Sequence, residues 1–182
     1  AIAAGPASID DSKIKKNVLA RGVDELVMCA DDACGNMDAH ATAEVLAGLV
    51  GEYDVILCGD GSADNYAQQV DVQLAARLGV PSVNGVTSIA AEDGALVVER
   101  TLEDVVETVR VPLPAVVSVS PDVAVPRIPG MKDILAAGKK PMDVRPAAGA
   151  CAASLEVVST LAPEQAERKL EILDASADGA IE

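Results

Sequence analysis

Phenylalanine and tryptophan are absent from this chain of 182 residues, and Tyr53 and Tyr66 are its only aromatics. Base stacking on aromatic platforms, the sequence-tolerant way of holding single-stranded nucleic acid, is thereby excluded. Cations are scarce as well: 14 Lys and Arg stand against 29 Asp and Glu, for a formal net charge of -15. A phosphate-backbone binder needs clustered Lys and Arg to displace counterions, so no nucleic-acid partner is expected. No stretch approaches the ~18 uninterrupted apolar residues of a membrane span. Cys29, Cys34, Cys58 and Cys151 follow neither a metal-ligand spacing nor a short secreted disulfide framework. Cys29 and Cys58 sit in apolar strand patterns, where a thiol behaves as a small hydrophobe, and a cytoplasmic, reducing home is expected. His40 is the only histidine and has no Cys or carboxylate at ligand spacing, which leaves it a solvated or capping role.

Half of the chain is apolar, enough for one domain with a full core. The most informative stretch is Asp54 to Val70, DVILCGDGSADNYAQQV. Val55, Ile56, Leu57 and Cys58 read as a strand that stops at Gly59 and turns through Asp60, Gly61, Ser62, Ala63 and Asp64. A helix is expected to open near Tyr66, with Ala67, Val70, Leu74 and Leu78 on its inner face. Gly59 and Gly61 would allow positive φ and a close backbone approach to a ligand, and the helix N-terminus behind them favours an anion. Taken alone, these residues describe a structural βα punctuator equally well.

The first half reads as βα units: a strand at Ala1 to Ala4, a helix from Ile9 to Ala20, a strand at Glu25 to Ala30, a helix from Asp38 to Val50, then Asp54 to Cys58 and a helix ending at Gly79. Strands spaced by such helices predict a parallel sheet with right-handed crossovers. Asp10 and Asp11 ahead of Lys13, Lys15 and Lys16 are dipole compensation at a helix start, not a catalytic carboxylate pair. From Val83 the helical period disappears into the β-rich runs VNGVTSIA, ALVVERTL and ETVRVPL, which predict antiparallel hairpins added at one edge. Ala115 to Val119 is apolar without alternation and belongs at a buried central position. A Pro-punctuated loop, a helix from Met131 to Ala137 and an Ala-rich, charged tail follow. The expected organisation is a domain over residues 1–145 and an arm over 146–182 that packs on a partner subunit.

Three segments in order carry a family resemblance: AARLGVPSVNGV, the hairpin LVVERTLEDVVETVRVPLPAVVSVS, and VPRIPGMKDILAAGKKPMDV. The chain resembles the β subunit of electron transfer flavoprotein, in wording closest to the FixA-type branch, from Ala1 to about Val144. Against that family it is expected to lack ~60 residues upstream, one wall of the adenine pocket among them, and a terminal helix beyond Glu182.

The resemblance implies a Rossmann-like α/β fold of the adenine-nucleotide-binding type and a subunit that carries electrons without bond chemistry of its own. It works as a heterodimer with an FAD-bearing α subunit, takes electrons from flavin dehydrogenases of the acyl-CoA dehydrogenase type, and holds AMP or a second FAD. The family's nucleotide loop falls on Cys58, Gly59, Asp60, Gly61, Ser62, Asp64, Tyr66, Ala67, Gln68, Gln69 and Val70, and a second strand end lining the pocket on Ala3, Ala4 and Gly5. One departure is visible: where many members carry Asn or Ala, Gln, then Thr before a Gly, this chain reads Gln68-Gln69-Val70-Asp71, which removes a hydroxyl and adds a carboxylate beside the phosphate position. The dehydrogenase-docking element falls on Pro126, Arg127, Ile128, Pro129, Gly130 and Met131, with Met131 as apolar anchor; read without the family, Met131 would pack its helix onto the sheet. The alternative reading is a stand-alone adenine-nucleotide-binding or hydrolysing domain with Asp60 and Asp64 as metal ligands, although a Walker-type lysine is missing.

Overall fold

A computed structural model describes residues 1–63, 65–149 and 151–165. The strand β1 (Ile2–Gly5) leads through a 3-10 turn to α1 (Ser12–Leu19), then β2 (Leu26–Ala30), a 3-10 turn (Asp32–Cys34) and α2 (Ala39–Leu49). Next come β3 (Val55–Gly59), α3 (Val70–Leu78), β4 (Ser82–Glu92), β5 (Ala95–Thr101), β6 (Val106–Pro112) and β7 (Ala115–Val119). The last described elements are α4 (Met131–Ala137) and β8 (Met142–Arg145). Local chemistry explains the helix starts. The Asp11 carboxylate accepts from the amides of Lys13 at 2.8 Å and Ile14 at 3.1 Å, and Asp38 accepts from Ala41 N at 2.8 Å, so each caps its helix. Gly79 closes α3 at φ 70°, a left-handed cap that a β-carbon would strain.

The strands form two sheets. One is three-stranded and parallel in the order β1-β2-β8; the other runs β3-β7-β4-β5-β6. The single core of four parallel strands expected at Ala1, Glu25, Asp54 and Ala115 is therefore divided, because β1 pairs with β2 and β3 with β7, and β1 and β3 do not pair with each other. Periodicity identifies a strand without naming its neighbour. One consequence is that Leu57, in the middle of an apolar run that reads as buried on both faces, is 62 % exposed at the free edge of the five-stranded sheet.

The central placement of β7 agrees with its sequence: Ala115, Val116, Val117 and Ser118 are all fully buried between β3 and β4. The hairpin β5–β6 lies at the far edge as expected, and Asp93-Gly94 makes the two-residue turn into β5, with Gly94 at φ 66°. The strand β4 is only partly antiparallel. Its first residues pair parallel with β7, its later ones antiparallel with β5, and it switches partner across an irregularity between Val83 and Val86 where Gly85 takes φ 65°.

Each sheet has its own core. Val86, Leu96, Val98, Val111, Ala115 and Val117 fill the larger one, while Leu19, Ala20, Leu26, Met28 and Ala137 join α1 and α4 to the smaller. Side chains of this size contribute ~1.5–3 kcal/mol each on full burial, which is what holds the small sheet without a second hairpin layer. The helices α2 and α3 pack on each other, with His40 Nδ1 3.2 Å from Gln73 Oε1 and an ion pair between Glu44 and Arg77.

Candidate functional site

In the five-stranded sheet β3, β7 and the start of β4 run parallel, so their carboxyl ends open on one side. The loops leaving those ends are tied together: Asp60 N donates to Val119 O at 3.1 Å, and Ser120 N to Val86 O at 2.9 Å. A cleft of about 440 Å³ lies there, lined by Asp60, Tyr66, Gln68, Asn84, Arg100 and Ser120 among others. Crevices at the carboxyl ends of an open parallel sheet are where α/β folds take ligands, and this volume falls within the usual range for a small-molecule site.

The Asp60–Gln69 segment is organised around the Asp60 carboxylate. Tyr66 Oη donates to one carboxylate oxygen at 2.6 Å and Gln68 Nε2 to the other at 3.0 Å. That hydrogen bond, reinforced by the carboxylate charge, raises the Tyr66 phenol above its ordinary value. The positive φ expected at Gly59 or Gly61 falls instead on Tyr66 (44°) and Gln68 (52°). Two side chains that both reach back to Asp60 hold the backbone in a conformation that sterics disfavour for them. Gly61 matters for a different reason from the one expected: a β-carbon there would lie 2.5 Å from the Tyr66 ring, whereas one on Gly59 meets nothing within 4 Å.

The helix begins later than expected, at Val70 rather than near Tyr66, which leaves Ala67, Gln68 and Gln69 in the connecting loop. Its N-cap, Gln69, makes no side-chain cap hydrogen bond. Asp71, in the first turn, is 3 % exposed, and its Oδ2 is buried without a hydrogen-bond partner. An acidic side chain thus stands at the helix end best suited to an anion, where the resemblance led to a hydroxyl being expected. Burial, followed by the Asp71 charge, pushes the nearby Cys58 thiol up to about 11. Asp64 lies outside the described residues.

Ala3, Ala4 and Gly5 form the end of β1 in the other sheet, where Gly5 O accepts from Asp31 N at 3.1 Å. None of the three lines the Asp60 cleft. Sequence reasoning missed Asn84, Gly85, Arg100 and Ser120 as cleft residues. An Asn-Gly pair inside a strand pattern is a recognisable bulge signal, and here it turns Asn84 toward Arg100, whose Nη1 donates to Asn84 Oδ1 at 3.1 Å while Nε pairs with Glu107 at 2.7 Å. Arg100 carries no such signal, since a strand arginine is ordinarily solvated.

The 126–131 segment is turned by its own polar contacts. Arg127 Nη2 pairs with Asp133 Oδ1 at 2.7 Å, Gly130 N donates to Asp133 Oδ2 at 2.9 Å, and Arg21 Nη1 donates to Arg127 O at 3.4 Å. Only Ala137 of α4 is fully buried, whereas Ile128 is 88 %, Met131 73 % and Leu135 69 % exposed. Met131 therefore does not pack its helix onto the sheet. Met131 and Leu135 lie one turn apart, on the same side of α4.

These features define an open-sheet α/β protein with a polar crevice at its strand ends and a separate exposed apolar strip. Residues 1–150 match the family model of the electron transfer flavoprotein domain, and the chain belongs to that family. The family consists of electron carriers rather than enzymes. No helix among the described residues is long and apolar enough to cross a membrane.

Proposed function

We propose that this chain acts as a β-type subunit of an electron transfer flavoprotein, of the FixA-like branch, in the cytoplasm. It pairs with an FAD-bearing α subunit and accepts electrons from a flavin dehydrogenase of the acyl-CoA dehydrogenase type. The observation that carries the reading is the family match across residues 1–150. Met131 and Leu135, one turn apart on α4, support it, with Ile128 also exposed in the loop just before, because an acidic chain that leaves large apolar side chains exposed there has a surface suited to a partner.

AMP or a second FAD is proposed for the cleft at Asp60. Its polar groups suit a sugar and a base: Asn84, Gln68 and Ser120 offer donors and acceptors, and the Tyr66 ring offers a face. Support for a phosphate is thinner, with Arg100 as the one cation lining the cleft among the described residues, already paired with Glu107, against Asp60 and Asp122. When bound, the flavin supplies the one- and two-electron chemistry. The chain's own contribution is to hold it: Asp60 orders the loop, Gly61 admits the Tyr66 ring, and the strand ends fix the depth of the crevice. The hydrolytic alternative is disfavoured by Asp60, both of whose oxygens are already engaged by Tyr66 and Gln68 rather than directed at a metal.

Co-expression with the α subunit tests the reading. Co-purification with a flavin absorption spectrum and release of AMP or excess FAD on denaturation is the expected result. A nucleotide-free β chain that binds no α subunit and passes no electrons from a dehydrogenase would overturn it.

A further inference from the structure

Three thiols that lie far apart in the sequence meet beneath the ends of the small sheet. Cys29 comes from β2, Cys34 from the 3-10 turn after it, and Cys151 from the segment beyond β8; all three are buried. Cys34 Sγ is 3.1 Å from Cys151 Sγ and 3.7 Å from Cys29 Sγ. Hydrophobic burial of thiols would account for any one of them, but not for an arm returning across 117 positions to set one sulfur against another. The arm is held in place by polar contacts at its edges. Ala147 N donates to Asp31 Oδ2 at 3.1 Å, and Ser154 and Leu155 N both donate to Asp38 Oδ2, the latter at 3.1 Å.

We propose that Cys34 and Cys151 form an oxidative modification site, joined as a disulfide by thiol–disulfide exchange with a low-molecular-weight disulfide such as oxidised glutathione. The sulfurs need to approach by only ~1 Å to reach bonding distance. Access to the pair comes along the arm, which is exposed from Ala152 onward, directly beside Cys151. The cavity of about 590 Å³ between α2, α3 and the start of the arm reaches Cys29, Pro146 and Gly149 but neither Cys34 nor Cys151.

Cys151 reacts first. Burial and the neighbouring sulfurs push the Cys34 thiol up to about 12, so it stays protonated while the cluster is closed. When the arm lifts, the Cys151 thiolate attacks one sulfur of the small disulfide, whose S–S bond breaks and releases one small thiolate. With the arm open, Cys34 is freed from the burial and the Cys151 sulfur that hold its proton, and it ionises. As the arm returns its thiolate attacks Sγ of Cys151, and the second small thiol leaves as a thiolate that takes up the proton Cys34 gave to water. Two protein thiols are oxidised, one small disulfide is reduced to two thiols, and no other electron source is needed. All four cysteines are free thiols in the structure, which is the reduced form that the exchange starts from.

The test uses the full chain, purified reduced and treated with oxidised glutathione. Expected are a loss of two hydrogens from the intact mass, reversal by dithiothreitol, and protection of two of the four cysteines from alkylation. Cleavage before aspartates separates Cys29 from Cys34 at Asp31 and Asp32, and the map should join the Cys34 peptide to the Cys151 peptide. Cys151→Ala, in the arm, should abolish the product, while Cys29→Ala should retain it. A Cys29–Cys34 link, a cross-link between two chains, four alkylatable thiols after oxidation, or an unchanged yield in Cys151→Ala would each overturn the proposal.

Discussion

Gly59 and Gly61 bracket the same turn, yet a side chain at the two positions meets different surroundings. A β-carbon on Gly61 collides with the Tyr66 ring, and one on Gly59 points into open space. Gly61→Val should therefore break the Tyr66–Asp60 contact and lower the nucleotide retained by the heterodimer, while Gly59→Ala should leave it unchanged. Nucleotide released per flavin is the measurement, and equal retention in both variants would remove the cleft as the binding site. The Tyr66 phenol provides an independent check. Donation to Asp60 raises its titration, so the contribution of that hydrogen bond is complete below the ordinary phenol range and is lost as pH rises through the raised value. With two tyrosines and no tryptophan, phenolate absorbance resolves this directly, and Asp60→Asn should bring one of the two titrations down. Asp38 serves two elements at once, capping α2 and holding Ser154 and Leu155. Asp38→Ala should lower the thermal midpoint by ~2–4 °C and speed alkylation of Cys151.

Among the α-helices, α4 is the one whose burial is least complete. Ala137 anchors it against Leu19 and Met28, and the Arg127–Asp133 pair and the Asp133 contact to Gly130 N fix its start. Because that start is rigid, the apolar strip is presented without much ordering cost on association. For Met131→Ala in the intact heterodimer, a loss of ~2 kcal/mol in dehydrogenase binding, ~30-fold in affinity, is expected. The thermal midpoint should move by less than ~2 °C, because a residue that is 73 % exposed supports little of the fold. Flavin content should not change. Unaltered dehydrogenase turnover would move docking elsewhere, and lost flavin would mean that α4 belongs to the cofactor site instead.

At the scale of the whole molecule, charge dominates. A net charge of -15 on 182 residues makes self-repulsion a standing cost to compactness, and the described ion pairs are partly exposed. Salt shortens the reach of that repulsion from ~30 Å at 0.01 M to ~3 Å at 1 M, so the midpoint of thermal unfolding should rise with ionic strength. A fall on adding salt would show that the ion pairs outweigh the repulsion. Acid acts through particular groups. The carboxyls of Asp11, Asp31 and Asp38 are held below their ordinary value, chiefly by the backbone amides of Ile14, Ala33 and Ala41 respectively. A depressed carboxyl stabilises the fold above its unfolded value and ceases to do so as pH falls through the folded one, so the loss belongs below about pH 4. Helix starts and the arm should loosen together there, which circular dichroism and Cys151 alkylation would report side by side.

The sequence by itself determined what depends on neighbours along the chain. The order of strands and helices as far as α4, the Asp93-Gly94 turn and the central place of Ala115 to Val119 follow from period, turn chemistry and an unbroken apolar run. The strand β8, read as the start of an Ala-rich tail, does not follow, nor does the start of α1, three residues later than expected because Asp11 caps it from outside. The turn after Gly59 was legible as a turn, whereas the exposure of Met131 was not, since its residues alone read as packing the helix onto the sheet. Only the tertiary structure decided which strand edges meet, since pairing β1 with β2 and β3 with β7 is a choice between chemically similar edges. It likewise placed Arg100 and Asn84 in the cleft with Asp60, moved the left-handed backbone from glycine to Tyr66 and Gln68, and brought Cys151 to Cys34. Each of these is a contact between residues remote in sequence, where local preference is nearly silent and the competition among packed alternatives settles the outcome.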